Sequence, residues 1–257
     1  MSAEADISAI ATLFAERVRA DMALALLGER ALTAGEMARA AGASASAASP
    51  HLARLVEGGV VIVERRGRHR YYRLADPAIA HLLEVMLTMA PSRPISTLTD
   101  AQRREKLWVA RTCYDHLAGC LGVDLFDSII AMDLMRLNGG ELTPSPGGIE
   151  LFASFGLDVD GLQGARRPFA LPCLDWTERR HHLAGALGAA LLRTLLENGS
   201  LRRSSTSRAV QVTESGTTFL NEVFGVRLRS PGTAQFDLPE PRKTDPLCQL
   251  VPRGRGK

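Results

Sequence analysis

Residues 33–74 read TAGEMARAAGASASAASPHLARLVEGGVVIVERRGRHRYYRL, and changes of rhythm inside that stretch decide the fold. Thr33 precedes a short helical run with Glu36 three residues on, the spacing of a capping box. The spacing predicts a helix over 34–41 that buries Met37 and Ala38 and stops at Gly42. Ser44 or Ser46 opens the next helix, which reaches about Glu57 with Leu52, Leu55 and Val56 inward and Gly58-Gly59 closing it. The period then shifts from helix to strand. Val60-Val61-Ile62-Val63 reads as one strand, 65–69 as a basic hairpin turn, and Tyr71-Tyr72-Arg73-Leu74 as the returning strand. Tyr71 and Tyr72 point to opposite faces, one into the core and one outward.

Working outward, residues 7–27 carry Ile7, Ile10, Phe14, Val18, Met22 and Leu26 at helical spacing, and Gly28 ends that run. On the other side Asp76 caps a helix with Pro77 in its first position, continuing through Ile79, Leu82, Leu83 and Met86 to about Met89. The order helix, short helix, turn, helix, basic hairpin, helix is that of a winged helix-turn-helix. Such a head sets one helix into a major groove about 12 Å wide and places a cationic hairpin against flanking phosphates.

The tract Ser49-x-His51-Leu52, followed by Gly67-Arg68-x-x-Tyr71-Tyr72, resembles the ArsR/SmtB family of small regulators over about residues 5–90. The resemblance implies a homodimer paired through the first and last helices of the head, bound to double-stranded DNA. It places Ser46, Ser49, His51 and Arg54 on or beside the recognition face, and Arg65, Arg66, Arg68, Arg70 and Tyr71 in or beside the wing. His51 has an equal claim to be a helix residue satisfied within the head. Pro50 departs from the pattern, because an interior proline costs about 3 kcal/mol and one backbone donor. Either the helix starts late with Ser49 as its cap, or it is kinked. The thiol pair that binds soft metals in some relatives falls here on Thr33 and Gly35, which cannot do so. Asp76, His81 and Glu84 fall where others hold a metal on the last helix, but His81 and Glu84 alone make two ligands of the usual four.

The second half repeats itself. Residues 113–119 read Cys113-Tyr-Asp115-His116-Leu-Ala-Gly119, and residues 173–185 run from Cys173-Leu-Asp175 to His181-His182-Leu-Ala-Gly185. Each tract precedes an apolar helix, a hairpin and a second helix: 126–137 then 142–157, and 187–196 then 201–226. Cys-x-Asp tracts of this kind resemble the C-terminal extension of longer ArsR-type regulators. Residues 102–121 read as one helix, which puts Cys113 and His116 on a common face. Cys113, His116, Cys173, His181 and His182 form a candidate effector or thiol pocket if the two tracts pack together. The competing reading is that the cysteines are small core residues and that Asp175, with Glu178 at capping-box spacing, caps a helix at Trp176.

The fold class is therefore mainly α with short β-hairpins (α+β). A winged helix-turn-helix head at 1–90 and a linker at 91–104 lead to a helical effector domain of two degenerate helix–hairpin–helix repeats at 105–229. Residues 230–257 read as a disordered tail, in which residues 250–254 resemble a thrombin cleavage site and Cys248 is set apart from any site. The net charge of +3 is small, but nearly all the positive charge is arginine, whose planar fork suits phosphate and guanine. A GC-rich coding sequence would give the same composition. Four scattered cysteines without a CxxC pair, no secretory signal and no membrane-length apolar run point to a reducing cytoplasm. No P-loop, Rossmann fingerprint or glycine-rich nucleophile turn suggests an enzyme. The function read from all this is a homodimeric, sequence-specific transcriptional regulator, a repressor by resemblance, with a metal ion, small molecule or thiol signal as its candidate releasing effector and no cofactor assigned. The alternative is a winged-helix protein-interaction module, which would have no need of five basic residues over 65–70.

Overall fold

The structure is a computed structural model, and it describes residues 5–91, 93–138 and 141–229. The tail, with Cys248 and the thrombin-like stretch, and the Gly139-Gly140 turn lie outside the described residues. The chain divides into two compact units after Met86.

In the first unit the amphipathic 7–27 run is two helices, not one: α1 (Ile7–Phe14) and α2 (Arg17–Ala25). The break has a local cause. Glu16 adopts extended backbone and its carboxylate accepts the Arg19 N–H, which caps α2. The short strand β1 (Leu32–Thr33) leads into α3 (Ala34–Ala40), where both halves of the expected capping box form between Thr33 and Glu36. Ser44 caps α4 (Ala45–Glu57), and the helix runs through Pro50. The late start at Ser49 is thus ruled out, and the full length of the helix is present. Its missing bond is local: proline has no N–H for the carbonyl four residues back.

The wing is β2 (Val61–Arg66) and β3 (His69–Leu74), paired in register from Val61↔Leu74 to Arg66↔His69. β1 adds to the other edge of β3 through Leu32↔Tyr72 and Thr33↔Tyr71, giving the sheet order β1-β3-β2. Helix α5 (Pro77–Met89) follows, with the Asp76 carboxylate accepting the Ala78 N–H at 2.7 Å. Met22, Leu26, Leu27, Met37, Leu55, Val60, Val61 and Leu83 fill the core of the head.

In the second unit α6 (Leu98–Val109) begins inside the stretch read as linker. The expected 102–121 helix is a misreading: Ala110 is extended (φ −156°, ψ 135°) and ends α6. Next comes a tight hairpin of β4 (Arg111–Thr112) and β5 (Leu117–Ala118), closed by Cys113 N–H to His116 C=O at 3.0 Å. After it run α7 (Gly119–Ala131), β6 (Met135–Asn138), β7 (Glu141–Pro144) and α8 (Pro146–Ser154). A short α9 (Val159–Gln163) leads to a second hairpin, β8 (Leu171–Leu174) with β9 (His181–Ala184). Then the order hairpin–helix–hairpin–helix runs again as α10 (Gly185–Glu197), β10 (Leu201–Arg203), β11 (Val210–Val212) and α11 (Glu214–Phe224). One apolar core drawn from both series, including Leu121, Phe126, Ile129, Phe152, Leu187, Leu191, Leu195 and Phe224, holds the unit together.

Candidate nucleic-acid interface and a cysteine–histidine cluster

In the head, Ala48, Leu52 and Leu55 turn α4 inward. The outward face carries Ser46, Ser49, Pro50, Ala53, Arg54 and Glu57, all exposed. His51 is different: its Nδ1 lies 3.3 Å from Glu16 Oε2 and its side chain is half-buried, so it fastens α4 to the start of α2. The wing presents Arg65, Arg66, Arg68, His69 and Arg70 to solvent around Gly67. Glu64 pairs with Arg66 at 3.2 Å and with Arg73, leaving Arg65, Arg68 and Arg70 outside that ion pair. Tyr72 is in the core, while Tyr71 is half-buried with the Arg66 guanidinium 5.8 Å above its ring. A basic hairpin tip beside the end of an exposed helix is the arrangement that sets phosphate contacts around a reading helix. Of the carboxylate–histidine candidates on α5, Glu84 is buried and His81 is exposed, so the two do not face a common site.

In the second unit, the structure brings together ligand atoms of Cys113, His116, Cys173 and His182, all within 4.8 Å of one another. Cys113 and His116 stand at the tip of the β4–β5 hairpin, and Cys173 faces His182 across the β8–β9 ladder. The i, i+3 helix face expected for the first pair is thus replaced by a hairpin turn, which reverses the chain and achieves the same proximity. His181 pairs with Leu174 and lies outside the cluster, as strand alternation requires of the neighbour of His182.

The two imidazoles meet Nε2 to Nε2 at 3.2 Å. Behind each ring stands a carboxylate: Asp115 Oδ1 lies 3.0 Å from His116 Nδ1, and Asp175 Oδ2 lies 3.4 Å from His182 Nδ1. Each carboxylate has its own arginine. Arg167 holds Asp115, and the fully buried Arg111 holds Asp175 at 2.8 Å while its guanidinium stacks 4.7 Å over Trp176. Asp175 also accepts the Gly119 N–H at 2.7 Å and the Thr177 and Glu178 N–H groups. It caps no helix. Residues 175–180 are a turn, and Glu178 instead accepts the Trp108 indole N–H at 2.7 Å.

Burial opposes ionisation of Asp175, but the Arg111 guanidinium and His182 outweigh it and hold the carboxyl well below its usual range. Burial likewise opposes charge on His182, yet the Asp175 carboxylate and the Cys113 sulfur raise it to about 9. One Nε2 must donate and the other accept for the rings to bond, so the pair carries one shared proton.

Two glycines make this meeting possible. A Cβ on Gly122 of α7 would lie 2.6 Å from the Leu117 carbonyl oxygen and 3.5 Å from the Cβ of His182. One on Gly188 of α10 would lie 2.4 Å from the Leu183 carbonyl oxygen and 3.3 Å from the Cβ of His116. Each helix therefore admits the histidine of the other tract. The sequence carried a signal for Asp115 and Asp175, since each stands two residues after a cysteine in echoing tracts. It carried none for Arg111 and Arg167.

The head is by its fold and exposed cations a winged helix-turn-helix nucleic-acid-binding unit. A family model described as a helix-turn-helix domain matches residues 14–64. The HTH-type transcriptional regulator YdfF of Bacillus subtilis (strain 168) is 38% identical over 211 residues, which cover 82% of this chain and 93% of that protein. The chain belongs to that family of HTH-type transcriptional regulators, with a helix-turn-helix head and a long C-terminal extension that YdfF shares. Among solved structures, the winged helix-turn-helix fragment of Mb0332 from Mycobacterium bovis is 26% identical, covering 35% of this chain and 89% of that one, with a TM-score of 0.30. The repressor BigR from Xylella fastidiosa is 23% identical, covering 34% and 88%, with a TM-score of 0.31.

Proposed function

We propose that this DNA-binding transcriptional regulator works as a homodimeric, sequence-specific repressor whose C-terminal unit receives the signal that releases DNA. The observation that carries the DNA part is the wing: Arg65, Arg66, Arg68 and Arg70 are all exposed on one hairpin that follows directly from α4. A clamp of this kind draws its affinity from displaced counterions, about 0.9 log units of salt slope per phosphate contact. Base reading falls to Arg54, Ser46 and Ser49 on the exposed face of α4.

Pairing is supported by apolar side chains left in solvent on the first and last helices of the head. Ile7 is 81% exposed and Ile10 43%, and Leu82, Val85 and Met86 are each more than a third exposed. Such faces on a protein of this size mark an interface, and a twofold pair would present two reading helices to successive major grooves. The signal would act by changing the spacing of those helices, a coupling of about 1–3 kcal/mol.

Fluorescence anisotropy tests this with the full chain, the DNA upstream of its own gene and a scrambled duplex of equal length. The expected result is binding at least a thousandfold tighter to the upstream DNA, reduced by Arg54→Ala on that duplex alone. Equal affinity for both duplexes contradicts sequence-specific reading. No affinity for either leaves the protein-interaction module as the better description.

A further inference from the structure

The geometry points to a tetrahedral zinc-class metal site formed by the thiolates of Cys113 and Cys173 and the Nε2 atoms of His116 and His182. A Cys₂His₂ set of closed coordination is the donor combination that selects zinc among common divalent ions. Zinc–nitrogen bonds of about 2.0–2.1 Å at the tetrahedral angle separate two ligand nitrogens by about 3.3 Å, and the two Nε2 atoms here stand 3.2 Å apart. The remaining ligand atoms, within 4.8 Å of one another, need to close by about an ångström to reach the roughly 3.5–3.8 Å that such bond lengths set.

The hydrogen bond that holds the two imidazoles nitrogen to nitrogen beside two thiols leaves both Nε2 atoms where one metal ion could replace the shared proton. The surroundings have the same logic: Asp115 bonds His116 at Nδ1 and Asp175 stands 3.4 Å from His182 Nδ1, so both rings turn Nε2 toward the cluster. The charges also close. Two thiolates balance a divalent ion, and Arg111 and Arg167 balance the two carboxylates. Cys173 is the half-buried member and marks the side from which an ion enters. With four protein ligands the site leaves no position for substrate, so its role is to tie the β4–β5 hairpin to the β8–β9 hairpin rather than to catalyse. Metal binding follows from the cluster by itself; its service as the releasing signal rests on the regulator reading above.

The test uses the full chain, stripped of metal under reducing conditions and titrated with Co(II), then Zn(II). The expected result is one Co(II) per chain, with the visible ligand-field bands of a tetrahedral site and a thiolate charge-transfer band, both removed by Zn(II). Cys173→Ser loses charge-transfer intensity, Asp115→Asn weakens Co(II) binding by about 10–100-fold, and Cys120→Ser, which alters a thiol outside the cluster, leaves the spectrum as it was. Circular dichroism on each variant confirms that it folds; half-buried Cys173 keeps the test open should the buried Cys113→Ser not fold. Failure to bind Co(II), a band that survives Cys173→Ser or vanishes with Cys120→Ser, or a Cys113–Cys173 disulfide formed in place of metal uptake overturns the site. DNA anisotropy on the same samples separates the two ideas. Metal uptake without DNA binding sinks the regulator reading and spares the site, and DNA binding without metal uptake does the reverse.

Discussion

The β2–β3 and β4–β5 hairpins use arginine in opposite ways. On β2–β3 the arginines stand in water around Gly67, where ions can exchange for a phosphate backbone. On β4–β5, Arg111 has no exposed surface and is committed to Asp175, Thr177, the Leu107 carbonyl and the face of Trp176. The first hairpin leaves its guanidinium groups open to solvent. The second neutralises a buried carboxylate that stands 3.4 Å from His182 Nδ1. The contrast shows that arginine content alone says little about nucleic acid; the burial of each guanidinium decides.

That contrast can be broken from either side. The largest effect is expected from Arg111→Ala, which leaves Asp175 buried without its counter-charge and costs about 3–5 kcal/mol in urea unfolding. A change under 1 kcal/mol would mean that Asp175 takes up a proton or water at no cost, and the buried pair would lose its structural role. Next is Gly188→Ala: a methyl 2.4 Å from the Leu183 carbonyl oxygen must push α10 away and destabilise the second unit by about 1–3 kcal/mol. Wild-type stability in this variant would show that the close approach is optional. Ser44→Ala removes the side-chain cap that accepts the Ala47 N–H and costs about 1 kcal/mol, read in the melting of the head. The wing double variant Arg66→Ala/Arg68→Ala comes last on the stability scale, with the melting temperature unchanged. Its salt slope for DNA binding falls by about 2 log units, and an unchanged slope would remove those two residues from the phosphate clamp.

The head was legible in the sequence because its signals are local. Thr33 with Glu36, Gly42, Ser44 and the shift of period near Val60 each act within a few residues; the capping box formed as read, Ser44 rather than Ser46 caps α4, and the strands extend to Arg66 and from His69 into the stretch read as turn. What the sequence hid there was also local but silent: the interruption at Ala15–Glu16 carries no glycine or proline, and Glu16 makes its own cap. The second unit was harder to read for two reasons. Leu107, Ala110, Tyr114 and Leu117 fall at helical spacing although they belong to a helix, its C-terminal cap, a hairpin turn and a strand, and of these Ala110 and Leu117 enter the core. The candidate cluster, moreover, depends on a meeting between residues 116 and 182, 66 positions apart, which no periodicity reports. The echo between the two tracts named Cys113, His116, Cys173 and His182 together. Only the fold separates His182 from its neighbour His181, and only the fold reveals the arginines behind the two aspartates.

The most direct test of the account is a hydroxyl-radical footprint of the full chain on the DNA upstream of its own gene. A twofold-related pair of wing-fitted heads predicts two protected half-sites about 10–10.5 base pairs apart, or a multiple of that spacing, with protection weakened evenly at both by the wing double variant. A single protected half-site, or protection spread without sequence preference, would contradict the paired reading of DNA from which the rest of the function follows.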